Sequence, residues 1–308
     1  MAEAARLGPG LPPILMRAAI MFLRNEEPRG ALPYTRATLG ATREFDGIIY
    51  TYYARSGIPV ADLIRSGVPV ERAAGQAWLR FLTIGGAPRD FEQVWLWLKQ
   101  NGFTDDPLAG EYVRHLLRNK KYVLAAERWE EQIRDRSPDY RRPELLSNRF
   151  WKYTPLACPL DWLINPVQGV ETSFSDGLLI RFDTRETLQY EGVVRQAVVS
   201  PGPYRLRAEV SSEGITTNEG PCFRVVDAER SERLDVYSRA TLGTTERGPV
   251  NLDFAVPAGT SLVNVEVFRR RSMKFDNKIK GTLRVHSISL APINARTGTT
   301  SSAANAAK

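Results

Sequence analysis

The spacing of hydrophobic residues divides this chain in two. Through roughly the first 140 residues, apolar positions recur every three or four, the spacing that lines one face of a helix. It predicts helices over Leu15–Arg24, Arg36–Arg55, Ala73–Leu82, Asp90–Gln100, Glu111–Leu117 and Tyr122–Ile133. Pro28, Pro33, Gly57 with Pro59, Gly67 with Pro69, Gly85-Gly86 and Asn101-Gly102 interrupt these runs. A missing N–H or a freely turning backbone stops a helix at such places. The hexapeptide RSGIPV at 55–60 returns as RSGVPV at 65–70. That interval is too short for a solenoid period and marks two similar turns.

Past Ser137-Pro138 and Arg142-Pro143 the period becomes two. Tyr204, Leu206, Ala208 and Val210 alternate with Arg205, Arg207 and Glu209. The sets Leu178/Ile180/Phe182, Leu252/Phe254/Val256 and Val263/Val265/Val267 alternate in the same way. Strict alternation describes a strand with one face on a core and the other away from it. Asp176-Gly177, Pro201-Gly202-Pro203, Asn218-Glu219-Gly220, Arg247-Gly248-Pro249 and Pro257-Ala258-Gly259 supply turns between the strands. Seven or eight short strands without intervening helices imply an antiparallel sandwich. The expected fold is α+β in two domains: helices over 1–143 and a jelly-roll β-sandwich over 144–293. An Ala/Ser/Thr-rich tail, 294–308, is expected to be disordered.

Composition mainly subtracts functions. The 308 residues are 43% hydrophobic and 25% charged, as in a soluble globular protein. No run approaches the 18 to 20 apolar residues of a membrane span (roughly), and Pro12-Pro13 disrupts any secretory leader. Two cysteines and two histidines exclude a disulfide scaffold and a zinc ribbon. Whether Cys158 and Cys222 pair stays open. The net charge of +7 divides as +4 over 1–143 and +3 over 144–308, so neither half is a basic domain. Without an RNA-recognition or finger signature, specific nucleic-acid binding is not expected. Neither His115 nor His286 accompanies a Gly-x-Ser-x-Gly elbow, and no Walker or dinucleotide sequence is present. No catalytic residue, cofactor or metal is assigned. A carbohydrate-active enzyme remains a third reading, because two carboxylates suffice and 35 are present.

Two segments carry resemblances. In GEYVRHLLRNKKYVLAAERWEEQI, 110–133, Tyr112 and Leu116 share one helix face, and Tyr122, Ala125, Ala126 and Trp129 share the next. The pair resembles a tetratricopeptide-type unit, and equally an ordinary helical hairpin. Trp95 and Trp97, two apart on one helix, face different sides; a partly exposed one would leave room for a groove, but large aromatics at helical spacing are usually core. In the second half, Asp161-Trp162, the glutamine-bearing strand running through Pro201-Gly202 into Tyr204, and the closing strand ending in Ile288-Ser289-Leu290 resemble the jelly-roll carbohydrate-binding-module superfold.

The combination resembles bacterial envelope proteins of exopolysaccharide and exosortase gene clusters. It implies a non-catalytic scaffold on the periplasmic side that handles exported polysaccharide, an acidic one included. The alternative is a protein-interaction scaffold using the helical domain. Members of that group begin with a membrane anchor and more helical repeats, neither of which is seen here. Envelope placement therefore rests on the resemblance alone, and a cytoplasmic one stays open. His286 stands where such modules often place an aspartate at a structural calcium, so no calcium is expected.

The resemblance also suggests a glycan platform of Trp162, Tyr190, Phe223 and Tyr237 with Arg195, Gln196 and Arg224 as polar neighbours. Trp162 competes for a place in the core. Arg269, Arg270, Arg271, Lys274, Lys278 and Lys280, against the single acid Asp276, are expected in a hairpin loop. Such a loop could hold an acidic polysaccharide or an anionic membrane surface, or simply be solvated.

Overall fold

The computed structural model describes residues 11–85, 88–274 and 277–293. Asp276 and the tail at 294–308 lie outside the described residues. The chain divides into two compact units, residues 1–115 and 116–308.

The first unit is helical: α1 (Pro12–Arg24), α2 (Pro28–Ala41), α3 (Asp46–Arg55), α4 (Val60–Asp62) running into a π-turn at Leu63–Gly67, α5 (Arg72–Gly85), α6 (Pro88–Gln100) and α7 (Asp106–Arg118), whose last turn crosses into the second unit. The run expected over 36–55 is broken after Ala41. Pro33, expected as a break, sits inside α2. A proline so near a helix start removes one intrahelical hydrogen bond without ending the helix. The repeated hexapeptides do form turns, by different means. Gly57 takes a left-handed φ of 66°. At Gly67 the backbone is approached closely: Tyr53 donates to its carbonyl at 2.6 Å, with Thr35 Oγ1 2.7 Å from the same hydroxyl. Trp95 and Trp97 are both buried, as large aromatics at helical spacing usually are. Trp95 lies 4.6 Å from the Tyr112 ring and Trp97 meets Phe103 edge-on.

The second unit begins at Leu116, well before the border expected at 143/144. Helix α8 (Tyr122–Ile133) buries Ala125, Trp129 and Ile133 and contacts the sandwich at β4 (Tyr190–Val198). Packing thus assigns it to the sandwich, although its period is that of the helical half. The pair resembling a tetratricopeptide unit therefore has its members in different units.

Among the described residues ten strands build the sandwich. The others are β1 (Leu163–Ile164), β2 (Val170–Ser173), β3 (Leu178–Asp183), β5 (Gly202–Ile215), β6 (Cys222–Asp227), β7 (Asp235–Tyr237), β8 (Gly243–Val256), β9 (Leu262–Arg269) and β10 (Lys280–Pro292). They form two antiparallel five-stranded sheets, β1-β4-β9-β6-β7 and β2-β3-β10-β5-β8. The fold class is as expected: helices followed by an antiparallel β-sandwich of the jelly-roll kind. Val193, Ala197, Phe223, Val225, Val263, Val265 and Val267 of the first sheet meet Ile180, Phe182, Leu206, Ala208, Leu283 and Ile288 of the second in one core. Alternation leaves the intervening residues of each strand on the outer faces.

Candidate functional site

Four of the seven expected platform residues lie inside the sandwich, which corrects that expectation. Trp162 is buried with its ring 4.7 Å from Trp151. Tyr190 is buried edge-on against Phe182, and Phe223 belongs to the same core. Arg195 follows Val193 and precedes Ala197 in the inward alternation and is fully buried. It donates to Ser147 O at 2.8 Å, Ser147 Oγ at 2.7 Å and Leu145 O at 3.3 Å, tying the segment before the sandwich to β4. Its guanidinium packs over Tyr140 and Trp162, with Asp161 4.0 Å away. Burial pushes the Asp161 carboxyl up, and the Arg195 charge opposes that rise. An aromatic inside a core offers no ring face to a sugar.

The other three, Gln196, Arg224 and Tyr237, share the outer face of the first sheet. The strand order and register bring together residues far apart in sequence. Val194, Glu266, Arg224 and Tyr237 form one row, and Gln196, Asn264, Val226 and Asp235 the next. Gln196 donates to Asn264 Oδ1 at 3.2 Å. Arg224 grips both Asp235 oxygens, at 2.7 and 3.0 Å, and reaches Glu266 Oε2 at 3.3 Å. Tyr237 donates its hydroxyl to Asp235 Oδ2 at 3.0 Å. Phe268 flanks the Tyr237 ring at 5.4 Å, and Arg224 packs over both rings. Arg270 covers the Tyr237 ring at 4.2 Å.

This side-chain ladder runs across β4, β9, β6 and β7. Its carboxylates are tuned in opposite directions. Burial raises Asp235, but hydrogen bonds from Arg224 and Tyr237 outweigh it and hold the carboxyl below its ordinary value. Glu266 is more deeply set, and burial keeps its carboxyl above the ordinary value despite Arg224. Asn264, Glu266, Asp235 and Phe268 were missed from sequence. The available signal was alternation: Asn264, Glu266 and Phe268 interleave with the inward Val263, Val265 and Val267.

The expected basic loop also needs correction. Arg269 continues the inward parity of β9 and is fully buried. It donates to the carbonyls of Glu219 (2.7 Å), Asn277 (3.3 Å) and Leu188 and to Thr217 Oγ1 (3.2 Å), clamping three loops. Arg270, Arg271, Lys274, Lys278 and Lys280 are exposed, and Lys280 pairs with Asp183 at 3.5 Å.

Cys158 and Cys222 are free thiols, and burial pushes Cys222 up to about 11. On the other sheet His286 Nε2 lies 2.9 Å from Ser211 Oγ, at an irregularity in β10. Burial, then Arg247 and Arg284, lower its pKa. No carboxylate hydrogen-bonds that imidazole among the described residues. Among the same residues no group of three or more His, Cys, Asp or Glu could hold a metal ion, and no helix is long and apolar enough to cross a membrane.

No protein-family model matches this sequence, and no curated protein does. Several solved carbohydrate-binding modules resemble the sandwich half. A CBM4 module is 12% identical, with a TM-score of 0.37, covering 48% of this chain and 99% of that one. TmCBM61, solved with β-1,4-galactotriose, is 12% identical at a TM-score of 0.34, covering 49% and 99%. CBM6cm-2 of Cellvibrio mixtus lichenase 5A, solved with cellotriose, is 14% identical at 0.25, covering 41% and 89%.

Proposed function

We propose that the sandwich binds carbohydrate without transforming it, through the outer face of the first sheet. The observation that carries this reading is the ladder from Gln196 to Tyr237. Amide, carboxylate and guanidinium groups hold one another in fixed orientations while keeping spare donors and acceptors beside the Tyr237 ring. A sugar presents the complement: hydroxyls for the amide, carboxylate and guanidinium groups. Groups already held by their neighbours lose little freedom on binding. The absence of chemistry is part of the proposal. Asp235 and Glu266 share one guanidinium on a sheet, whereas glycosidase carboxylates flank a scissile bond across a cleft. An exported bacterial polysaccharide, with the protein as scaffold in the cell envelope, is the setting suggested by the combination of helical half and sandwich.

The test is a glycan array with the full chain, including β-1,4-galactan, cello-oligosaccharides and acidic exopolysaccharides. Asn264→Ala and Tyr237→Ala should weaken the strongest binding about tenfold or more while leaving the circular dichroism spectrum unchanged. No binding to any glycan, or binding indifferent to both substitutions, overturns the reading. Release of reducing ends during incubation would overturn its non-catalytic part.

A further inference from the structure

We propose that a cleft within the second unit, between α8 and one end of the sandwich, docks an apolar peptide segment of a partner protein that carries Asp or Glu at one end. The cleft has a volume of about 1130 Å³. One wall is the first turn of α8, where Val123 is 56% exposed beside Leu124. The facing wall is Leu145, Val198, Pro201 and Pro292. An aliphatic left this open on a helix, opposite other aliphatics, is the form taken by grooves that receive apolar side chains of a peptide.

Charge selects the occupant. Lys121 and Arg142 line the cleft, both exposed, and neither side chain has an ion-pair or hydrogen-bond partner among the described residues. Lys120 is different, being committed to Glu229 at 3.0 Å. The narrower adjoining pocket shares Glu127 and Arg142 with the cleft and adds Glu130 and Glu144. Glu144 is engaged, accepting from the Leu146 and Leu290 N–H groups at 2.9 and 3.1 Å. The acids of a ligand therefore belong at the Lys121 end of the cleft, which lies outside the pocket that holds Glu130 and Glu144. The chain's own continuation past Ile293 carries Arg296 and Lys308 and no acid, the wrong sign for those cations.

The lining also favours a peptide over a glycan. Of the two tyrosine hydroxyls of the cleft, Tyr122 donates to Glu229, and Tyr204 accepts from Ser200 N–H at 3.1 Å. No row of amides like that on the first sheet is present in its lining. The cleft is separate from the ladder, so its fate and that of the carbohydrate reading are independent.

The test pans a random twelve-residue peptide display library on the full chain. Enriched peptides are then synthesised and titrated by fluorescence polarisation. Enrichment of aliphatic residues flanked by Asp or Glu is expected. Binding should fall at least tenfold in Lys121→Glu/Arg142→Glu and in Val123→Asp, each checked for folding by circular dichroism, and should stay unchanged in Asn264→Ala. Enriched sequences without that pattern, or binding indifferent to the cleft variants, overturn the proposal. So does failure to enrich any peptide while polygalacturonate binds in a manner dependent on Lys121 and Arg142.

Discussion

The two outer faces of the sandwich use the same residue types to opposite effect. On the second sheet Arg205 faces Asp253 directly across β5 and β8, with both nitrogen–oxygen contacts at 2.6 Å. Both side chains are about half exposed. Arg207 pairs with Glu209 on its own strand at 3.0 Å. Each pair stands alone, and isolated exposed ion pairs contribute little because water and salt screen them. On the first sheet Arg224 serves two carboxylates at once, one of them buried, and lies over two rings. Side-chain networks in a less polar setting stiffen one another. Bond length does not separate the faces, since the shorter contacts are on the exposed one. Connectivity and depth do.

The comparison can be broken in several ways. The largest expected effect is that of Arg224→Ala, which takes the guanidinium from Asp235 and leaves the buried Glu266 without its ion-pair partner. Urea unfolding should show a loss of about 1–3 kcal/mol. A loss below the error of the measurement would place this face with the other. Next, Asn264→Ala should cost about 1.4 kcal/mol of glycan affinity, a factor of ten. Arg207→Ala on the second sheet should cost none, as measured by isothermal titration against the best array glycan.

A smaller effect concerns pH. Because burial raises the Glu266 carboxyl, the folded protein holds its proton more tightly than the unfolded chain does. Stability from this group therefore falls as pH rises from its ordinary value of 4.5 through its folded value. Glu266→Gln should flatten that part of the profile, read as melting temperature between pH 4.5 and 7.5. An unchanged slope would show that Glu266 is not set as deeply as the ladder requires. Asp235, held low, acts in the opposite sense: its contribution is lost as pH falls below 3.8 through its folded value. The smallest effect is expected of Arg205→Ala, with no change in melting temperature. A clear drop would erase the contrast between the faces.

Two neighbouring arginines show why function was harder to read than fold. Arg269 and Arg270 looked alike as members of one cationic run. Arg269 shares the parity of Val263, Val265 and Val267 and is buried among carbonyls, while Arg270 steps out over Tyr237. Arg195 follows the same rule between Val193 and Ala197. Alternation was available for both and outranks charge as a guide to direction, because a one-residue shift would reverse every side chain on the strand. Trp162 offers no such signal, standing in a loop before the two-residue β1.

Local spacing by itself determined the two halves, most of the helices, the alternating strands and the sandwich, because period and turn chemistry act within ten residues or so. It also determined which side of a strand each residue takes. Tertiary structure decided the rest. Only packing moved α8 from the helical half to the sandwich, since an amphipathic stripe specifies that a face is buried but not against what. Only the order β1-β4-β9-β6-β7 set Gln196 beside Asn264 and Glu266 beside Arg224, pairs separated by 68 and 42 residues. Pairing across strands depends on which edges meet, and that is settled by burial of the whole core.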